Sequence, residues 1–355
     1  MHRPRRLVGK KSKAKKSPFT VRNVFIFLAL LFFLSTMRTF GGLHSTEGEE
    51  ASSIVSSTHA SPKLRGYDPL QRAFVSDSIK HTCIAALVSN SDEDVKDLTV
   101  ALKSLRNLKV GSETKILIFY EEDLTMWHTN KITRSISPHH VDFEHIDFTL
   151  FPPFFDPKVE ESNWNKRSKW GYQQMIRFWM SRIWDHPAVV ENCESVLRID
   201  SDSCFLETTE EGVGLEGLGE GIVYRANKLR KDCGEYTEGL WDLAKSYINE
   251  ERITVKNPHL WDMARRFWEE KDNHLHKACL PTFYNNFEVT SVAFMRLPEV
   301  RKWHSRVSEE EPFGVFRRRW GDAGVRFLTM AMFAEEREIV RTEVKGYEHP
   351  CGAPL

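Results

Sequence analysis

Two aspartates one residue apart close an apolar run, Leu197-Arg198-Ile199-Asp200-Ser201-Asp202. Such a run suits a buried strand. A strand ending in two carboxylates delivers them beyond its carboxyl end, where open α/β sheets receive ligands. Oxygen donors so placed suit Mg²⁺ or Mn²⁺, which in turn neutralise the diphosphate of an activated donor. The plain alternative is a pair of turn-capping aspartates. A second segment, Tyr284-Asn285-Asn286-Phe287-Glu288, sets a carboxylate beside two amides in an aromatic setting that fits a sugar. The same residue types fit a Glu288 paired with an arginine and amides that cap a turn. A third segment, Arg317-Arg318-Arg319-Trp320-Gly321-Asp322, offers guanidiniums to a diphosphate or to solvent. Asp322 there stands before an apolar helix, as its N-cap or as a sugar ligand. The stretch Gly346–Cys351 adds His349, an imidazole for a metal, a phosphate or an ordinary surface.

The elements that must position these groups are legible in the hydrophobic pattern. Ile84–Val88 is an apolar run suited to a buried strand. Ser91 and Asp94 form a capping-box start, and Val95, Leu98, Leu102, Leu105 and Leu108 follow at helical spacing. Lys115–Tyr120 predicts a second strand, a helix follows Glu121, and Val141–Ile146 predicts a third. This strand–helix alternation is the opening of an α/β domain with a parallel sheet. Lys169–Trp184 predicts a helix with an aromatic face, Ser195–Asp200 a buried strand, and Gly221–Arg225 a short strand. Helices are expected around Thr237–Ile248, Pro258–Trp268, Pro298–Val307 and Gly321–Phe333. No internal repeat, G-x-G-x-x-G or G-x-x-x-x-G-K-[ST] occurs, so neither a dinucleotide fold nor a P-loop is supported.

Charge divides the 355 residues unevenly. Lys+Arg and Asp+Glu both total 50, yet residues 1–37 hold nine Lys/Arg and no acid, leaving 41 basic against 50 acidic residues beyond them. That net −9 argues against a nucleic-acid surface as the main business of the chain. Residues 1–20 form a basic tail. Residues 21–37 hold the uninterrupted apolar core Val24–Leu34, and at about 1.5 Å per residue they reach about 26 Å as a helix, enough for a thin bilayer. With the basic charge all on its amino side, this reads as a single uncleaved signal anchor with the tail cytosolic and the remainder luminal. A cleaved signal peptide is the competitor, and no A-x-A site follows the core. Residues 38–80 read as a flexible luminal stem and 81–355 as the folded domain. The six cysteines, Cys83, Cys193, Cys204, Cys233, Cys279 and Cys351, all lie on the luminal side. They allow 15 full pairings, and their spacing suggests no zinc site. No N-x-S/T sequon is present.

Taken in order, these segments resemble glycosyltransferase family 15, the fungal-type α-1,2-mannosyltransferases, over roughly Thr82 to Cys351. CIAALVSNSDEDVKDLTVALKSL is similar to that family's first strand and helix, and YQQMIRFW to its Y-x-x-M-x-R-F segment. RIDSDSCF falls where the family has W-R-V-E-P-D-V-x-F, with Asp200 in place of the usual glutamate. YNNFEVTSVAFMR resembles W-S-N-F-E-I-A, RRRWGDAGVRFLTMAMFA resembles R-W-G-D-A-P-V-H-S, and GYEHP resembles the carboxyl-terminal histidine motif. Two positions depart from the pattern. Gly324 replaces a proline, and Arg326 replaces a histidine that the resemblance makes a metal ligand.

The resemblance implies a GT-A-like α/β fold with a mixed central sheet behind a type II Golgi membrane anchor. It implies a retaining transferase that moves a hexose, mannose from GDP-mannose above all, onto a glycan or glycoprotein. Asp200, Asp202 and His349 would hold Mn²⁺ or Mg²⁺, and Glu288 would serve as nucleophile or as stabiliser beneath the anomeric carbon. Asp322 would bind the sugar or orient the acceptor, Arg319 would meet the leaving group, and Tyr172 and Arg177 would line the cleft. Arg326 leaves two outcomes: a metal site rebuilt around His349, or a guanidinium that takes over phosphate neutralisation. The rival readings are a UDP-sugar donor, an inactive membrane-tethered sugar-binding protein, and a hydrolase using Asp200 and Glu288.

Overall fold

The computed structural model describes residues 81–160, 170–208, 213, 215–270 and 277–352. The basic tail, the apolar span and the stem expected at 1–20, 21–37 and 38–80 lie outside the described residues. Among the described residues no helix is long and apolar enough to cross a membrane.

The first half alternates as expected. Strand β1 (His81–Val88) leads through helix α1 (Asp92–Ser104) to β2 (Ile116–Tyr120), then through α2 (Met126–Ile136) to β3 (Val141–His145). Ser91 caps α1 by accepting from the Asp94 amide, while the Asp94 carboxylate bonds to Ser89 and not back to the cap. A cap bond contributes about 1 kcal/mol, whereas burying a side chain such as Leu98 or Leu102 contributes about 1.5–3 kcal/mol each. The apolar face of α1 therefore decides where the helix sits, and the cap decides where it starts. Helix α3 (Gly171–Met180) is shorter than the aromatic pattern predicts, and a separate 3₁₀ turn occupies Arg182–Asp185. After α4 (Pro187–Asn192), β4 (Cys193–Ile199) enters the sheet beside β1.

The second half changes direction. β5 (Cys204–Phe205) is followed by β6 (Tyr224–Ala226), β7 (Leu229–Cys233), α5 (Leu240–Glu250) and α6 (Pro258–Glu270). Then come β8 (Cys279–Phe283), β9 (Phe287–Ser291), α7 (Pro298–Ser308), α8 (Asp322–Phe333), β10 (Ile339–Arg341) and β11 (Tyr347–Glu348). The central sheet runs β10-β6-β9-β4-β1-β2-β3. β3, β2, β1 and β4 are parallel, β9 runs antiparallel between β4 and β6, and β10 is parallel to β6, so the sheet is mixed. Strands β8 and β9 were not expected from the sequence, because Glu288 and Thr290 interrupt the apolar pattern of β9 at positions that the fold buries. Two ribbons, β11–β5 and β7–β8, flank the sheet.

Side chains alternate across the sheet with period two. Ile84, Ala86, Ile116 and Ile118 pack with Val95, Leu98 and Leu102 of α1 and Ile132 of α2. Cys83, Ala85, Leu117 and Phe119 pack on the opposite face with Phe178 and Trp179 of α3 and Phe327 and Leu328 of α8. Three disulfides, Cys83–Cys193, Cys204–Cys351 and Cys233–Cys279, use all six cysteines.

Candidate active site

The parallel strands end at one cleft of about 1110 Å³. β4 reaches it with Arg198 as its penultimate residue, and the chain then turns, the Ser203 amide donating to the Asp200 carbonyl at 3.0 Å. Asp200 and Asp202 thus arrive beyond the end of the sheet, and both line the cleft. The carboxyl-terminal segment brings the third group. β11 pairs with β5, placing Tyr347 opposite Phe205, while the Cys204–Cys351 disulfide ties the two strands two residues beyond Asp202 and His349. The Cys351 amide donates to the Asp202 carbonyl at 2.7 Å.

His349 consequently stands over the aspartates, its Nε2 2.9 Å from Asp202 Oδ1 and 3.5 Å from Asp200 Oδ2. Tyr284 holds the other side of the ring, its hydroxyl 3.0 Å from His349 Nδ1. Burial presses the His349 imidazole toward its neutral form. The hydrogen bond to Asp202 and the charges of Asp200 and Asp202 override that and raise its pKa. The bond from His349 also draws the Asp202 carboxyl below the usual range, against the effect of burial. One donor atom from each of the three residues lies within 4.8 Å of the others. Two carboxylate oxygens and an imidazole nitrogen form a donor set that fits Mn²⁺.

Arg198 organises the floor beside this cluster, and sequence reasoning passed over it. Its Nε and Nη2 donate to Asp200 Oδ1 at 3.2 and 3.1 Å, its Nη1 donates to Asp322 Oδ2, and its plane lies over the Trp179 ring at 4.6 Å. Burial disfavours its charge, but Asp200, Asp322 and Glu288 outweigh that and push its pKa up. The signal was available, since a lone arginine inside an apolar strand must find carboxylates. Asn286 donates to Asp200 Oδ2, and Asn285 donates to Asp322 Oδ2 at 2.9 Å. Asp322 is the first residue of α8, with Gly321 as the cap, so its carboxylate is turned to the cleft and not to the helix end.

The opposite wall carries Tyr172, Tyr236, Arg230, Lys231, Asp232 and Arg319. Arg319, at φ 58°, sets its guanidinium 4.0 Å from the Tyr236 ring centre and 5.3 Å from that of Tyr172. Burial and the nearby Asp322 raise the pKa of the Tyr172 phenol, and burial and Asp322 likewise raise that of the Asp232 carboxyl. Of the arginine triplet only Arg319 lines the cleft. Arg317 is bound to Glu160 and Glu311.

Three expected site residues stand elsewhere. Arg177 does not line the cleft: it is buried in α3, bound through Nε to Glu309 at 2.6 Å and through Nη1 to the Leu150 carbonyl. Glu288 lies opposite Arg198 across the β4–β9 pair, is 1% exposed, and is not on the cleft wall. Its Oε2 accepts from the Tyr224 hydroxyl at 2.6 Å, and both of its oxygens accept from Arg326 at 3.2 Å. Arg326, also 1% exposed, donates further to the Trp179 carbonyl at 3.1 Å and faces the Met295 sulfur. Arg326 is therefore enclosed between α8 and the sheet, on carboxylate and carbonyl partners, and does not line the cleft where a phosphate would sit. Position 326 also contributes nothing to the cluster of Asp200, Asp202 and His349.

Residues 47–352 match the glycolipid 2-alpha-mannosyltransferase family. O-glycoside alpha-1,2-mannosyltransferase homolog 2 of Schizosaccharomyces pombe is 25% identical over 212 residues, 58% of this chain and 54% of that protein. Glycolipid 2-alpha-mannosyltransferase 1 of Candida albicans is 32% identical over 208 residues, 56% of this chain and 46% of that protein. The chain thus spans about half the length of the curated relatives it matches. The crystal structure of the mannosyltransferase Ktr4p of Saccharomyces cerevisiae superposes with a TM-score of 0.65 at 19% identity, covering 95% of this chain and 82% of that one. The Mn/GDP form of core-mannan synthase A from Aspergillus fumigatus gives 0.64 at 18% identity, covering 78% and 76%. These likenesses establish a GT-A-like fold with a mixed central sheet.

Proposed function

The chain belongs to the glycolipid 2-alpha-mannosyltransferase family, and on that premise we propose that it transfers mannose from GDP-mannose to a glycan or glycoprotein, with retention of the α configuration. The observation that carries this reading is the pairing, in one cleft, of Asp200, Asp202 and His349 with the hydrogen-bonded polar pair Asp322 and Asn285. The similar core-mannan synthase A was crystallised in a Mn/GDP form, which supports the same pair of ligands here.

Asp200, Asp202 and His349 would hold Mn²⁺, which when bound offsets the charge of the diphosphate. Leu87, Val88 and Ser89 edge the cleft above β1, with Asp94, Asp97 and Glu121 beside them. Carboxylates there suit guanine, whose exocyclic amine is a donor. Asp322, its Oδ2 fixed by Arg198 and Asn285, binds hydroxyls of the donor sugar, and Arg319 places positive charge on the wall where the leaving group departs. The bond from the anomeric carbon to the β-phosphate oxygen breaks, its electron pair leaving on GDP. The acceptor hydroxyl oxygen bonds to the anomeric carbon, and its proton passes to the departing phosphate. The apolar span at 21–37 and the basic tail before it support a type II anchor in the Golgi membrane, and three disulfides support a luminal, oxidising setting.

The test is turnover by the full chain, purified from a secretory host, with GDP-mannose and with the UDP-linked galactose, glucose and N-acetylglucosamine donors, each offered an α-mannoside. Release of GDP with an α-linked product by NMR is expected. Turnover of a UDP-sugar alone would overturn the donor, and binding of no nucleotide by folded protein would leave a sugar-binding relative.

A further inference from the structure

Behind the cleft runs a line of alternating charge that the family pattern does not call for. Arg326 of α8 contacts Glu288 of β9, Glu288 lies cross-strand from Arg198 of β4, and Arg198 binds Asp200 and Asp322. Cross-strand neighbours on one face stand about 5 Å apart. Glu288 and Arg198 therefore adjoin, although only Arg198 meets the cleft. Both oxygens of Glu288 are engaged, by a phenol and a guanidinium, on the same face of the sheet as Arg198 but buried beneath it, where Glu288 does not line the cleft. Reaching a sugar would require breaking three hydrogen bonds and displacing Arg198, itself held by two carboxylates and the Trp179 ring.

We infer that Arg326 is a positioning residue, which holds and neutralises Glu288 so that Glu288 acts only as the counter-charge behind Arg198 and never attacks the sugar. This deepens the transferase reading above and rests on it. The group comprises two cations, Arg326 and Arg198, and three carboxylates, Glu288, Asp200 and Asp322, for a net charge of −1. That excess faces the place where Asp200, Asp202 and His349 come together. Glu288→Gln leaves Arg326 buried without its carboxylate and brings the group to zero. Glu288→Gln combined with Arg326→Met restores −1 while removing the Glu288 carboxylate altogether.

The experiment measures three quantities on the full chain: Mn²⁺ affinity by titration calorimetry, turnover with separate kcat and KM, and melting temperature. We expect Glu288→Gln to weaken Mn²⁺ binding at least threefold and lower kcat at least tenfold. The double variant should bring both back to within about threefold and tenfold of the parent. Arg326→Lys, which keeps the charge and folds most readily, should retain Mn²⁺ affinity and most of kcat. A nucleophilic Glu288 would give the opposite: Mn²⁺ affinity kept in Glu288→Gln, kcat lost by a thousandfold or more, and no recovery in the double variant. A pair that serves only packing would shift the melting temperature with Mn²⁺ affinity unchanged, and that too overturns the inference. Should the parent turn over no donor, the transferase reading fails, and the Mn²⁺ titrations still decide the role of Arg326.

Discussion

Replacing Arg198 with methionine tests the floor of the cleft most severely. The guanidinium makes two bonds to Asp200 and one to Asp322, and only 6% of its side chain is exposed, so solvent screening gives little relief. Methionine fills much of the volume but leaves Asp200, Asp322 and the adjoining Glu288 facing one another. Removing one partner from a buried ion pair costs about 3–5 kcal/mol. A domain of 150–250 residues loses about 2–4 °C per kcal/mol. The melting temperature of Arg198→Met should therefore fall by roughly 6–20 °C. Arg198→Lys should recover less than half of the loss, because one ammonium cannot reproduce a planar fork shared between two carboxylates. The assay is thermal unfolding followed by circular dichroism at fixed pH and salt. A drop below about 2 °C for Arg198→Met would refute the reasoning, since three carboxylates would then tolerate one another without their cation.

Three further outcomes follow from other parts of the structure. His304 is buried with Nε2 3.1 Å from Thr329 Oγ1, and burial, with the Arg326 charge nearby, holds its pKa well below the usual value. The unfolded chain binds that proton below about pH 6.5 and the native state does not. Stability should then fall with decreasing pH below about 6.5, by up to about 1.4 kcal/mol per pH unit, and His304→Gln should flatten the slope in denaturant titrations. Gly314→Ala would place a methyl 1.8 Å from Trp320 Cε3, against a ring whose indole N–H donates to the Glu238 carbonyl at 2.7 Å. It should destabilise by about 3 kcal/mol in chemical unfolding and, by moving the turn before Asp322, raise KM for the donor. Joint replacement of Cys204 and Cys351 by serine frees the segment bearing His349. Stability should fall by about 2–5 kcal/mol, and Mn²⁺ affinity in calorimetric titration should fall at least tenfold.

How much of this was legible depended on whether the informative signal was local. The strands β1, β2 and β4 and the helices α1, α7 and α8 follow from apolar runs and helical spacing, because each buries a continuous face. β9 escaped because Glu288 and Thr290 interrupt its apolar run although the fold buries both, and the partners of Glu288 are distant: Tyr224 is 64 residues away and Arg326 is 38. The same distance hid the role of Arg326. A charged residue on an apolar helix announces that a partner exists without saying which one, and a phosphate in the cleft fitted the sequence as well as a carboxylate buried beneath Arg198. Short motifs single out Asp200, Asp202, Asp322 and His349 as candidates, and the fold gathers all four at the cleft. Arg198 stands next to the acidic pair, but no short motif names its partners. Its function appears only once β9 and α8 bring Glu288 and Asp322 against it.

The most direct test of the whole account is calorimetric binding of GDP to the full chain as Mn²⁺ is added, compared with Asp202→Ala and His349→Ala. The account predicts GDP binding that depends on Mn²⁺, vanishes with EDTA, and weakens at least tenfold in each variant while the fold and the melting curve of the metal-free protein persist. GDP bound equally with and without Mn²⁺, or with the same affinity in both variants, would contradict it.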